Sequence, residues 1–237
     1  MKPLPISDVL EAAAYAVVGE RCRQAHLHDA RGELQTLHSA IELLTRAAKT
    51  PGENVALADK ASALAKRALA MHEKSLVELL NRMTPHDAAV APLNVGRLVS
   101  EALRILRNDA LSKSIEFRFE ALADVSIAAQ PNLCEMVILG LCAMTVDELA
   151  PGASIAVTVG RADGQAYVGW NSDIPWPAVR KPEELWHSAR ASLSPYELLL
   201  AVAWRWTTSN GGRVELPADP QVRDMMRIYY PVHPAGA

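Results

Sequence analysis

Hydrophobic positions in the first third of the chain recur at steps of three and four residues. From about Ile6 to Ala48 there is no proline, glycine occurs only at Gly19 and Gly32, and Leu27, Ala30, Leu34, Leu37, Ile41, Leu44 and Ala48 lie on one seam. That spacing predicts a long helix packed in a bundle or coiled coil. The segment KTPGEN, 49–54, punctuates it. A second helix is predicted from Val55 to Met83, with Leu57, Ala61, Leu64, Ala68, Leu69, Leu76, Leu80 and Met83 apolar, and Thr84 and Pro85 end it. Two long helices joined by a short loop make an antiparallel hairpin. A lone hairpin cannot cover both stripes, so the pattern predicts a homodimeric four-helix bundle. The alternative is that the second half of the same chain covers the stripe.

Past a linker, His86 to Pro92, the period changes. Val95 to Leu111 reads as a helix, and Ile115 to Leu122 alternates as IEFRFEAL, with Val125 to Ala129 again strand-like. A helix from Asn132 to Leu149 follows, then Ser154 to Val159 and Gln165 to Trp170 flank ADG as a hairpin. Pro175, Pro177 and Pro182 break the chain. Tyr196 to Ser209 reads as a helix ended by Asn210-Gly211-Gly212, with closing strands Arg213 to Leu216 and Met225 to Pro231. The order predicts two domains, a helical hairpin over 1–86 and an α+β sandwich over 87–237 with helices on one face of a mixed sheet.

Composition narrows the partners. With 24 Lys and Arg against 27 Asp and Glu in 237 residues, the net charge of −3 gives no general pull toward nucleic acid or an anionic membrane. Half the residues are hydrophobic, enough to bury a core and to argue against long disorder. Cys22, Cys134 and Cys142 form no CxxC pair and have no histidine at ligand spacing, so they read as reduced thiols and not as a disulfide framework or metal site. Asp8, Glu11 and Glu20 interrupt the apolar N-terminus, and no stretch reaches about 18 uninterrupted apolar residues, so no signal peptide or membrane span is expected. The expectation is a cytoplasmic protein.

Candidate chemistry lies in HDARGELQTLHSAIELL, which begins at His28. His28 stands one position after Leu27, so its imidazole is expected to project from the bundle flank into solvent. A neutral ring nitrogen is a nucleophile, and a neighbouring carboxylate, here Asp29, can hold the proton on the other nitrogen and stabilise the developing positive charge. The plainer reading of such a residue is a solvated helix histidine. His26 and His38 lack an adjacent acidic residue, and His72, His86, His187 and His233 lie outside the segment.

These residues resemble the phosphoacceptor box of sensor histidine kinases, in which a histidine, an acidic residue, an arginine and a leucine stand as His28, Asp29, Arg31 and Leu34 do here. Further along, LNVGRLVSEAL resembles the first helix of the kinase domain, PNLCEMVILGLCAM its asparagine-box helix, and TTSNGGRVEL the strand after its last helix. The resemblance implies a dimeric helical hairpin followed by the histidine kinase/Hsp90-type ATPase fold.

The nucleotide elements of that family do not carry over. Where it has a magnesium-binding asparagine, this chain has Leu139, Gly140, Ala143 and Met144, none with an oxygen donor on its side chain. The Asp-x-Gly-x-Gly element reads VGWNSDIP, with Gly169, Asn171 and Asp173 near those positions, and Asp173 is either a displaced adenine anchor or a solvated turn residue. The glycine-rich loop reads SLSPYELLLAV, where Pro195 removes a donor, Glu197 repels phosphate and Leu199 fills space. A degenerate nucleotide site is therefore expected, with no cofactor and no metal.

An acceptor histidine beside such a site resembles the ChpT-type histidine phosphotransferases, which relay phosphoryl groups between response-regulator receiver domains. The resemblance implies His28 as phosphoacceptor, Asp29 as its orienting base and Arg31 as a further candidate beside the phosphoryl group. Implied partners are receiver domains, with a hybrid histidine kinase as a further candidate. Gly32 and Glu33 stand where Asn or Thr and Pro are usual, which leaves phosphatase chemistry open. Two rivals are a non-catalytic pseudokinase scaffold or inhibitor and a divergent ATP-dependent histidine kinase. Trp170, Trp176, Trp186, Trp204 and Trp206 are expected to pack in a core or interface, the alternative being an aromatic ligand pocket.

Overall fold

The computed structural model describes residues 6–49, 55–83, 89–173, 181–187, 193–216 and 224–232. Residues 50–54, Thr84, Pro85, His86, Pro175, Pro177, Trp176 and His233, on which parts of the sequence reading fall, lie outside these. Two long helices open the chain, α1 (Ile6–Lys49) and α2 (Val55–Met83), both rich in Ala, Leu, Glu and Arg, residues that lose little side-chain freedom in a helix. No helix among the described residues is long and apolar enough to cross a membrane.

The chain divides into two compact units, Cys22–Thr84 and a unit that joins Met1–Arg21 to Pro85–Ala237. The hairpin unit thus begins within α1, whose residues up to Arg21 group with the second unit.

Within the hairpin unit the predicted seam divides. Small side chains pack between the helices, with Ala40, Ala61 and Ala68 buried, and Leu37 and Leu64 partly so. Leu27, Leu34 and Ile41 on α1 and Leu69, Leu76 and Leu80 on α2 remain exposed. The helices meet through alanine, which lets their backbones approach, so the larger residues are left outside the contact.

The second unit is an α/β sandwich. Its helices are α3 (Val95–Ile105), α4 (Arg107–Ser112), α5 (Pro131–Glu148), α6 (Pro182–His187) and α7 (Pro195–Ser209). Its five-stranded sheet runs in the order β2 (Glu116–Ala121), β4 (Ser154–Ala162), β5 (Gln165–Ser172), β7 (Asp224–Pro231), β6 (Arg213–Glu215), with β2 parallel to β4 and the other pairs antiparallel. β1 (Ala91–Asn94) and β3 (Ser126–Ala129) form a separate antiparallel pair. Alternation fixes the core face: Ile155, Val157, Val159, Val168, Trp170, Ile228 and Tyr230 are buried along it. The β4–β5 hairpin turns at Asp163-Gly164, both in the left-handed region (φ 53° and 73°), as a two-residue type I′ turn requires. α5 packs against α3 and α7 and is buried around its whole circumference from Met136 to Val146, as expected of a helix apolar on every side.

Three departures from the sequence reading have local causes. The expected linker ends in strand β1, whose Asn94 also caps α3 by accepting from the Arg97 N–H at 2.7 Å. The helix expected over Val95 to Leu111 is interrupted at Leu106, a cap between α3 and α4. Pro182, read as a break, is the first residue of α6, where its missing N–H costs nothing.

Candidate functional site

His28 lies near the middle of α1, and its side chain is 64% exposed. Its Nδ1 stands 3.6 Å from Oδ1 of Asp29, ion-pair range without hydrogen-bond contact. The carboxylate thus faces one ring nitrogen and leaves Nε2 as the nitrogen remote from it. Arg31 and Leu34, one and two turns further, are exposed and line a shallow depression with Gln35, His38 and Ser39. One continuous helical face therefore presents an imidazole, a guanidinium and an apolar patch to solvent.

The other histidines of the hairpin differ in setting. His38 is exposed and pairs through Nε2 with Glu42 at 3.3 Å, a carboxylate one helical turn on and so not adjacent in sequence. His26 and His72 face each other across the hairpin, ring centroids 5.9 Å apart. His26 Nδ1 lies 2.9 Å from the Ser75 hydroxyl, and His72 Nδ1 lies 2.7 Å from Glu33 Oε2, a side chain only 10% exposed. This interhelical polar layer was not legible in the sequence, because its members are far apart along the chain. It also gives Glu33 a role: the carboxylate in the proline position of the kinase-like box ties α1 to α2. The side chains of His86, His187 and His233 lie outside the described residues.

In the α/β unit, the residues aligned with the nucleotide elements are placed as follows. Leu139, Ala143 and Met144 are buried, and a Cβ on Gly140 would stand 3.0 Å from Leu199 and 3.2 Å from Val18. Asp173 is engaged at the strand ends, where its Oδ1 accepts from the Ser154 N–H at 2.8 Å. At the start of α7 the Ser194 hydroxyl accepts from the Glu197 N–H at 3.2 Å, and the Glu197 carboxylate accepts from the Ser194 N–H at 3.0 Å. This is a capping box, with Pro195 at the first helical position. The Ser194 and Glu197 N–H groups are thus used internally, and Pro195 has none to offer an anion. Burial raises the Tyr196 phenol well above its usual range, and the carboxylates of Glu148 and Glu197 push it the same way. Negative charge therefore gathers at this helix start.

Trp170 and Trp206 are buried in the core, and Trp186 lies under the Arg205 guanidinium, 5.7 Å from its ring centroid. Cys22, Cys134 and Cys142 are buried and joined in no disulfide. Among the described residues, no three His, Cys, Asp or Glu side chains are grouped to hold a metal ion.

No protein-family model matches the sequence, and no curated protein matches it. Solved structures do match. The catalytic domain of histidine kinase ThkA aligns over 62% of this chain and 99% of its own, at 14% identity and a TM-score of 0.52. Full-length ShkA in complex with AMPPNP aligns over 91% of this chain and 47% of its own, at 14% identity and a TM-score of 0.50. A bacterial phosphotransferase aligns over 90% of this chain and 95% of its own at 15% identity, with a TM-score of 0.42, below the level at which a shared fold follows. A helical N-terminal region followed by a mixed-sheet α/β unit is thus the fold of a histidine kinase catalytic core.

Proposed function

We propose that this protein is a histidine phosphotransferase of a two-component phosphorelay, passing a phosphoryl group between response-regulator receiver domains through His28 without binding ATP. The observation that carries the reading is an exposed His28 with Asp29 beside its Nδ1, in a kinase-type fold whose α7 start is closed on itself by Glu197. The aligned turns of α5 carry no oxygen donor for Mg²⁺, and the start of α7 repels the phosphate it would have to hold.

The transfer is an in-line displacement. Nε2 of neutral His28 attacks the phosphorus of the receiver's phosphoaspartate, the N–P bond forms as the P–O bond to the carboxylate breaks, and the aspartate leaves with the electron pair. The proton stays on Nδ1, where Asp29 offsets the positive charge of the phosphorylated ring. A second receiver's aspartate reverses the step. Mg²⁺ and the acidic pocket come with the receiver, as the resemblance implies, and this chain's task is to hold an accessible nucleophile in place. In this reading Arg31, exposed on the same face, meets the phosphoryl group or receiver acid.

A homodimer is part of this reading. The exposed leucines and isoleucine of both hairpin helices form stripes that a second hairpin would cover, completing a four-helix bundle. The reading also places the chain in the cytoplasm, with the receivers it serves.

The test is transfer of radiolabel from a panel of phosphorylated receivers to wild type and His28→Ala, with MgATP alone in parallel. Acid-labile label on wild type only, and none from ATP, is expected. Label from ATP alone would establish instead the divergent kinase, a reading that the match to AMPPNP-bound ShkA favours. No label from any receiver of the host would leave the scaffold.

A further inference from the structure

The part of α1 around Val18 lies against the α5–α7 face of the α/β unit, at Gly140 and Leu199. Ala14 and Val18 are buried one turn apart, and Leu10 and Val17 partly so, which makes one apolar stripe on this part of the helix. The Val18 side chain reaches Gly140, where an added Cβ would lie 3.2 Å from its Cγ2 and 3.0 Å from Leu199 of α7. The glycine is thus a hole into which two side chains, one from α1 and one from α7, are inserted. One turn after Val18, the Arg21 guanidinium bonds Asp109 of α4 at 3.1 Å and also reaches Asp147 near the end of α5. Apolar stripe, hole and paired aspartates are complementary in shape and charge to a single helical segment.

We propose that the α5–α7 face is a helix-binding groove, and that its resident ligand is the chain's own segment Ala14–Arg21. The sequence resemblance implies that Gly140 and Leu199 fall in segments the kinase family uses for nucleotide, and here they pack against an apolar helix that ends in a cation. The occupant is tethered, which supplies a high local concentration and lets a small contact stay filled. The seated segment ends seven residues before His28 on the same helix, so the groove fixes the start of the helix that carries the candidate acceptor. The proposal rests on packing and ion pairs, and it holds whether or not His28 accepts phosphate.

Hydrogen exchange on the full-length protein tests it. Arg21→Glu places a carboxylate against Asp109 and Asp147, and amides of residues 10–20 are expected to lose protection by about tenfold or more. Combining it with Asp109→Lys and Asp147→Lys restores the pairing and is expected to restore protection. Val18→Ala, which leaves the charges intact and removes only the inserted methyls, is expected to give a smaller loss in the same amides. In a second arm, a labelled peptide of residues 9–24 binds the Arg21→Glu protein saturably, and the same peptide carrying Arg21→Glu does not. Unchanged exchange in both Arg21→Glu and Val18→Ala, failure of the charge swap to restore it, or equal behaviour of the two peptides would each overturn the groove.

Discussion

Truncating Leu34 measures whether the outward stripe of the hairpin is an interface between two copies of this chain. Within one chain Leu34 is 62% exposed. Full burial of a leucine is worth about 1.5–3 kcal/mol, so covering the remaining surface would contribute about 1–2 kcal/mol per chain. Leu34→Ala forfeits most of that, about 1 kcal/mol. A two-fold interface counts each substitution twice, so the dimer loses about 2 kcal/mol and its Kd rises about 30-fold. Adding Ile41→Ala, one heptad on and 60% exposed, brings the loss to about 4 kcal/mol, close to three decades in Kd. Sedimentation equilibrium of the full-length chain over a wide concentration range reads the shift directly. Leu122→Ala is the control, since Leu122 is 66% exposed and belongs to the α/β unit. A monomeric wild type, or Leu34→Ala indistinguishable from Leu122→Ala, would refute the bundle.

Other perturbations probe the fold around the site. Gly212→Ala would place a Cβ 2.1 Å from the Tyr229 carbonyl oxygen and 2.8 Å from Thr207 Cγ2, with backbone on one side that cannot yield. It is expected to cost about 3 kcal/mol, read as a lower urea midpoint at constant m. Ser194→Ala breaks the capping box of α7 and is expected to cost about 1 kcal/mol in the same assay, with no change in phosphoryl transfer. Burial pushes the Cys142 thiol from 9.0 up to about 12 and raises Cys134 and Tyr230 as well. Above about pH 9 the unfolded chain gives up protons that the folded chain retains, so stability falls with rising pH, by up to about 1.4 kcal/mol per pH unit for Cys142 alone. Chemical unfolding between about pH 8 and pH 10 should show this decline, and a flat profile would contradict it.

What the sequence revealed and what it concealed follow from the range of the forces involved. The bounds of α2 were legible because apolar spacing and the prolines around it act over a few residues, and the β4–β5 turn because Asp163-Gly164 satisfies one local backbone demand. His28 is exposed as expected, but Leu27 beside it is exposed too, so its place next to the seam did not decide this. The four-residue β1 escaped notice because its pairing partner, β3, lies more than thirty residues on and a proline stands inside it. The seam of α1 was read as one stripe, but which of its residues met α2 depended on the alanines of the other helix. Glu33 with His72, and Arg21 with Asp109 and Asp147, join positions that no local pattern links. For the same reason, the grouping of the first 21 residues with the α/β unit had no signature in the hairpin's own periodicity.

The reciprocal bonds between Ser194 and Glu197 have a competitive meaning beyond their contribution to stability. The Glu197 carboxylate, three residues away, meets the Ser194 N–H at the start of α7 at an effective concentration that freely diffusing ions seldom match. Any anion seeking that turn must first evict a tethered rival and then bear the repulsion of the displaced charge. The Ser194 N–H is in this sense already occupied, by an inhibitor encoded in the chain itself.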